Sequence, residues 1–270
     1  MKYYVYNKFS NNGILPKISE DIKLVEAVGL DYQKFFEELN QEDEVVFLGG
    51  DGTVNYLINN INVNELKNNV YLKANGTGND FINDIEANVN DEILLNPYLK
   101  NLPSVNINGK NLFFINNVGF GIDGYCCEVA DQMKAKEPNK VIDYSAIAIK
   151  GLLFHFKPCH ASVTVDGKTY EYDNVWLAPT MKGRYYGGGM KVAPDQDRNS
   201  DKLSVVIYKS RFKLVALANF PSIFKGEHIK NKKLTTVLSG NDIHVKFSRP
   251  CAAQIDGETE LNVTEYTAKL

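Results

Sequence analysis

Four cysteines in 270 residues are few, and they are not placed to act together: Cys126 and Cys127 are adjacent, Cys159 and Cys251 stand alone, and no CxxC spacing occurs. This excludes zinc sites of the usual ligand spacing and a disulfide framework, and leaves reduced, packed thiols. Long apolar runs are also missing. The most apolar stretch, "VIDYSAIAIKGLLFHF" from Val141 to Phe156, is broken by Asp143 and Lys150 and falls short of the ~20 residues that span a bilayer. The start, "MKYYVYNKFSNN", has neither an apolar h-region nor a small-residue cleavage site, so the expected location is the cytoplasm. Net charge is only −3, which gives no chain-wide footprint for nucleic acid; any basic surface has to be local. Internal repeats and low-complexity linkers are absent as well.

What is present is ordinary globular material, 44% hydrophobic and 23% charged, in a chain longer than one typical domain. Two domains are expected. Over residues 1–103 strand and helix signals alternate: "YYVY" (Tyr3 to Tyr6), helical "YQKFFEEL" (Tyr32 to Leu39), "EVVFL" (Glu44 to Leu48), helical "TVNYLINNI" (Thr53 to Ile61) and "VYLKA" (Val70 to Ala74). That order predicts an α/β domain with a parallel sheet. From residue 104 to 270 the texture becomes short alternating runs with Asp166-Gly167, Gly240-Asn241 and Asp256-Gly257 as hairpin turns, which predicts a β-rich, sandwich-like domain. Helices are expected near Asp143 to Phe156 and Leu214 to Phe224, and the last few residues are free to pack back on the first domain.

The chemistry concentrates where the second buried strand of the first domain ends, in Gly49-Gly50-Asp51-Gly52-Thr53. A side-chain-poor turn running into a helix aims backbone N–H groups at an anion, and the threonine hydroxyl adds a cap or a donor. Asp51 would repel phosphates without an intervening cation, so it points to Mg²⁺ or to a hydroxyl partner; a plain helix cap is the alternative. The next strand ends in "KANGTGNDF", where Gly76, Thr77, Gly78 and Asp80 repeat the pattern, and parallel neighbours deliver such loops to one crevice.

"GGDGTVN" followed by "GTGNDF" resembles the diacylglycerol kinase catalytic domain. "FINNVGFGIDG" (Phe114 to Gly124), "YYGGGMKVAPDQD" (Tyr185 to Asp197), "FKGEHIK" (Phe224 to Lys230) and "QIDGE" (Gln254 to Glu258) follow in the order of bacterial diacylglycerol kinase-like proteins, relatives of sphingosine and ceramide kinases and, distantly, of NAD kinase. The resemblance implies an ATP- and Mg²⁺-dependent lipid kinase with its active site between a nucleotide domain and a lipid domain. It implies nucleotide contacts from Asn7, Ser10, Gly49, Gly50, Asp51, Gly52, Thr53, Asn55, Gly76, Thr77, Asn79 and Asp80, and metal ligands in Asp51, Asp80 and Asp201. It also makes Asp256 the general base with Glu258 in support, whereas the residues alone make Asp256-Gly257 a turn. Two motifs depart from the family: Lys8 and Asn11 replace a proline and a glycine in the first loop, and Ser200 and Lys202 replace an aspartate and a glycine around Asp201.

A lipid acceptor requires a peripheral membrane surface. Lys209, Arg211, Lys213, Lys225, Lys230, Lys232 and Lys233, interleaved with Phe212, Phe220 and Phe224 against one Glu227, form the expected patch; a solvated helix is the other reading. No nucleic-acid partner is expected, and a homodimer is left open. An NAD kinase-like enzyme and a non-catalytic lipid- or nucleotide-binding protein are the rival functions.

Overall fold

The computed structural model describes residues 1–8, 21–75, 78–137, 140 and 142–270. The chain divides into two compact units, Met1–Leu102 and Pro103–Leu270.

The first unit runs β1 (Lys2–Tyr6), β2 (Ile22–Glu26), α1 (Tyr32–Glu37), β3 (Glu44–Gly49), α2 (Asp51–Asn60), β4 (Asn69–Ala74), α3 (Asp80–Asp84) and β5 (Glu92–Leu94). Its sheet has the order β2-β1-β3-β4-β5, parallel except for β5. Val45 to Leu48 are buried without alternation, as a strand covered on both faces requires. Val54, Leu57 and Ile58 turn one face of α2 inward, and Tyr32 of α1 stacks on Phe47 at 5.7 Å between ring centroids. β2 had no counterpart in the sequence reading. It is an edge strand with Lys23 and Leu24 exposed, so the alternation that marks a half-buried strand is missing.

The second unit runs β6 (Ser104–Ile107), β7 (Lys110–Phe113), β8 (Asn117–Phe120), α4 (Ile122–Lys136), α5 (Tyr144–Lys150), β9 (Cys159–Val165), β10 (Lys168–Leu177), β11 (Thr180–Met181), β12 (Leu203–Lys209), α6 (Lys213–Asn219), α7 (Pro221–Phe224), β13 (Thr235–Gly240), β14 (Asp242–Ile255) and β15 (Glu258–Lys269). The sheet closes on itself. The path β14-β8-β11-β12-β10-β9 returns to β14, because β14 pairs with β9 through Ile243 to Phe247 and, beyond bulges, with β8 through Ala253 to Ile255. Val118, Phe120, Val163, Val205, Val245 and Phe247 fill the inside. A second apolar layer forms outside, where Ile122, Cys126 and Ala130 of α4, Leu152 and Ala216 pack on Trp176, Val206 and Tyr208.

Asp166-Gly167 and Asp256-Gly257 make hairpins, β9 to β10 and β14 to β15. Gly240-Asn241 does not: β13 pairs with β12, and the chain there is held by Asp166, whose carboxylate accepts the Asn241 and Asp242 N–H groups at 2.9 Å each. The expected helix near 143–156 is α5 plus a π-helical turn, Gly151–His155; the one near 214–224 is α6 and α7, divided at Pro221. The longest helix among the described residues, α4, was not expected, since its apolar positions follow directly on the strand-like "FINNVGFG". The last residues stay with the second unit: β15 pairs with β14 and β6, and the Leu270 N–H bonds the Asn241 carbonyl.

Candidate functional site

In the first unit, Gly49 ends β3 and Asp51 opens α2. Both glycines before Asp51 are dictated by packing: a Cβ on Gly49 would stand 1.9 Å from Thr53 Oγ1, and one on Gly50 would stand 2.1 Å from the Gly78 carbonyl oxygen. The turn after β4 therefore lies directly against the turn after β3. The Asp51 N–H bonds Gly78 O at 3.1 Å and the Asn75 N–H bonds Gly49 O at 3.0 Å. The Asp51 carboxylate completes the junction, Oδ2 accepting the Asp80 N–H at 2.8 Å and Oδ1 the Phe81 N–H at 2.9 Å. Asp51 thus caps α3, the helix after the second glycine turn, whose own N-cap Asn79 makes no side-chain cap.

The sequence-predicted residues Asp51, Asn55 and Asp80 are buried here, Gly52 is exposed and Thr53 is half-buried at the start of α2. Asn55 accepts from Asn59, one turn on. Asn7 follows β1, and the neighbouring Lys8 N–H bonds Glu26. Ser10, Gly76 and Thr77 lie outside the described residues.

In the second unit Asp256 sits at the β14–β15 turn in the left-handed region, φ 48°, with its side chain buried. Its carboxylate accepts three successive backbone N–H groups: Ile115 at 2.7 Å on Oδ2, Asn116 at 2.8 Å and Asn117 at 2.9 Å on Oδ1. The Asp256 N–H returns to the Asn117 carbonyl at 3.0 Å. Arg198, which the sequence reading missed, donates to the Ile115 carbonyl and, at 2.7 Å, to Asn116 Oδ1. The turn is fixed from behind by Gln254, whose Oε1 accepts the Gly257 N–H at 2.8 Å. Glu258 reaches solvent; desolvation by its surroundings, then the Asp131 charge, raises its carboxyl above the usual range.

Behind Gln254 is a second buried aspartate. Asp123, in the first turn of α4, occupies the space that Gly119 leaves open: a Cβ on Gly119 would stand 1.7 Å from its Oδ2. The carboxylate faces Gln254 and Tyr186, and burial outweighs these partners and pushes it up to about 6. Asp123, Asn117 and Tyr186 all fall in motifs quoted for the family resemblance, so the signal was present without a role attached to it.

Asp201 is in the loop before β12, and that loop offers little to a divalent ion. The carbonyls of Asp197 and Lys202 accept from Gln196 Nε2 and Ser200 Oγ, and the carbonyl of Ser200 accepts from the Lys182 ammonium at 3.1 Å. Lys182 is buried; desolvation lowers its basicity, Arg198 lowers it further, and Asp197 and Asp201 oppose both. Among the described residues no group of three or more His, Cys, Asp or Glu side chains is arranged to hold a metal.

Comparison with known proteins agrees with this two-part layout. The family model described as "Diacylglycerol kinase catalytic domain" matches residues 13–102, and "YegS C-terminal NAD kinase beta sandwich-like domain" matches residues 116–267. The diacylglycerol kinase of Bacillus subtilis (strain 168) is 24% identical over 232 residues, 82% of this chain and 72% of that protein. The diacylglycerol kinase of Mycobacterium tuberculosis (strain ATCC 25618 / H37Rv) is 24% identical over 212 residues, 76% of this chain and 67% of that protein. A crystal structure of a diacylglycerol kinase from Bacillus anthracis str. Sterne has the same fold, with a TM-score of 0.67 at 19% identity over 99% of this chain and 93% of that one.

Proposed function

Since the chain belongs to the diacylglycerol kinase-like family of lipid kinases, we propose that it transfers the γ-phosphoryl group of ATP to a lipid hydroxyl, with diacylglycerol as the acceptor. The observation that carries this reading is the Asp51 junction, which holds two side-chain-poor turns together at the ends of adjacent parallel strands. This is the place where open α/β sheets take nucleotides. The residues present fit a polyphosphate: Gly52 and Thr53 open a ten-residue helix whose N-terminus favours negative charge. They fit Mg²⁺ through Asp80 and Asp51, because each Asp51 oxygen accepts a single described N–H and a carboxylate oxygen has a second lone pair. Bound Mg²⁺ would neutralise charge on the transferred group.

The chain's own contribution to the transfer is positioning and one proton. Asp256 would accept the proton of the acceptor hydroxyl, and three N–H donors fix the orientation of its carboxylate beforehand. Arg198 secures the same segment from its carbonyl side, so the base and its support form one unit. Glu258, raised by desolvation and Asp131, is an acidic neighbour in the turn.

The test is transfer of radiolabel from ATP to diacylglycerol, phosphatidylglycerol and a sphingoid base in mixed micelles, with NAD as a further arm. Label in phosphatidic acid is the expected result. Label only in NAD moves the protein to the NAD kinase-like reading, and no label in any arm leaves a binding protein.

A further inference from the structure

Residues 144–158 and 209–226 contain none of the chain's 33 acidic residues, although the chain as a whole is net negative. They hold Lys150, Lys157, Lys209, Arg211, Lys213 and Lys225. The fold sets them side by side, since the Lys213 ammonium at the start of α6 donates to the Leu153 carbonyl in the π-helical turn at 3.3 Å. From this junction three large apolar side chains project into solvent: Phe154 is 73% exposed, Phe212 65% and Leu214 72%.

Their exposure is built in. Leu152 and Phe156, on either side of Phe154, are buried, and Phe156 lies 6.1 Å from Trp176 between ring centroids. Ala216 is buried and its carbonyl accepts the Tyr208 hydroxyl at 2.8 Å, which pins α6 with Phe212 and Leu214 outward. Leu152 inside the π-helical turn and Phe156 just after it both face inward, and Phe154 between them faces out. Phe220, by contrast, is a core residue, and Lys230 lies 3.9 Å from Glu227. The exposed apolar surface therefore belongs to the 149–157 and 211–215 pair, and the 230–233 lysines expected from the sequence contribute no large apolar side chain to it.

We propose that Phe154, Phe212 and Leu214, with Lys150, Lys157, Arg211 and Lys213 on the same two segments, insert into the interface of an anionic lipid bilayer. The inference rests on the lipid-kinase reading and names the surface from which the acceptor is drawn. Charge complementarity selects the occupant. Two cation-bearing segments without an acidic residue of their own match an anionic leaflet, and exposed aromatic and leucine side chains suit the headgroup boundary. A second copy fits less well, because a two-fold contact through this patch sets the same cations against each other.

The experiment is vesicle co-sedimentation with phosphatidylcholine alone and with added phosphatidylserine. It uses the intact protein, a Phe154→Ser/Phe212→Ser/Leu214→Ser variant and a Lys150→Gln/Lys157→Gln/Arg211→Gln variant, with melting temperatures measured alongside. These side chains are exposed, so both variants are expected to melt like the wild type. The intact protein should prefer phosphatidylserine vesicles and release with salt. The serine variant should lose at least ~tenfold in binding, and the glutamine variant roughly fivefold per cation removed. A Lys230→Gln/Lys232→Gln/Lys233→Gln control should lose less than either. Equal vesicle binding by wild type and both variants overturns the proposal. So does a wild-type dimer that the serine substitutions abolish while vesicle binding is unchanged. Phosphorylation of dispersed short-chain diacylglycerol separates this inference from the kinase reading: no product with the binding differences intact removes the kinase and leaves the docking surface standing.

Discussion

Asp51 in the first unit and Asp123 in the second stand in the first turn of a helix, are followed by glycine and are buried. The Asp51 carboxylate accepts two backbone N–H groups of a neighbouring turn. Asp123 holds no neighbouring turn in this way; its near polar partners are Tyr186 and Gln254, and burial outweighs them. The hairpin pair Asp166-Gly167 and Asp256-Gly257 shows the same divergence in another setting. Both aspartates adopt positive φ, 47° and 48°, yet Asp166 holds two N–H groups at the surface and Asp256 holds three in the interior. What an Asp-Gly pair does therefore depends on which donors the rest of the fold brings to it. Where donors converge, the carboxylate locks a loop in place; where they do not, a buried charge is a standing cost.

The largest expected effect is at Asp256. As general base its replacement in Asp256→Asn removes a contribution of ~10² to 10⁴-fold in kcat. The three N–H bonds add a consequence that neither a plain turn nor a plain base would show. An asparagine amide must turn its NH₂ toward one of those donors, so stability should fall by about 1–3 kcal/mol as well. Measuring kcat together with the melting temperature decides it. Full activity with lowered stability leaves Asp256 as a loop lock only; unchanged values of both would remove it from the site altogether.

Asp123 should respond in the opposite sense. Its folded-state carboxyl is raised to about 6 from the ordinary carboxylate range, so the native state holds the proton more tightly than the unfolded chain. Stability carried by this group is full below pH ~4 and declines as pH rises toward about 6, by up to ~3 kcal/mol. Asp123→Asn abolishes that decline. The variant should match wild type near pH 4 and exceed it at pH 8 in urea denaturation. A wild-type advantage at pH 8 would mean the carboxylate has partners in solution that compensate its burial.

The parallel sheet of the first unit was legible because β3 is buried on both faces, β4 buries Val70 and Leu72, and α2 repeats its apolar residues at helical spacing. The edge strand β2 was not, since its exposed residues carry no period. The hairpins at Asp166 and Asp256 were visible as turn dipeptides, while the Gly240-Asn241 link failed because pairing of β13 with β12 is a non-local fact. At the site, the glycines of "GGDGT" were read as making room for a ligand, and the structure shows Gly49 and Gly50 making room for Thr53 and Gly78. Arg198 and Lys182 were invisible for the same reason as β13: each acts on a segment about 80 or about 20 residues away.

A smaller stability change is expected at Asp51. Asp51→Asn keeps one acceptor and turns an NH₂ toward the N–H of Asp80 or Phe81, so α3 loses part of its cap at about 1–2 kcal/mol. Nucleotide-dependent turnover should fall with it, since the second glycine turn is no longer fixed. Hydrogen exchange locates the damage: faster exchange at Asp80 and Phe81 is expected, and protection equal to wild type would show that the junction does not depend on the carboxylate.

Lys182 completes the comparison as a buried cation, with its partner in the Ser200 carbonyl. With the Asp197 and Lys202 carbonyls taken by Gln196 and Ser200, the loop before β12 is closed by protein donors. A chelator should therefore leave the wild-type melting temperature where it is. Lys182→Met removes one charged hydrogen bond together with the burden of burying the ammonium, so the net loss should be small, about 1 kcal/mol, or ~2–4 °C in Tm for a unit of this size. Added Mg²⁺ should not restore it, because a single bond has been lost and no ligand set has been created. A chelator-induced drop in wild-type Tm larger than the Lys182→Met drop would show that an ion, and not this ammonium, holds the loop around Asp201.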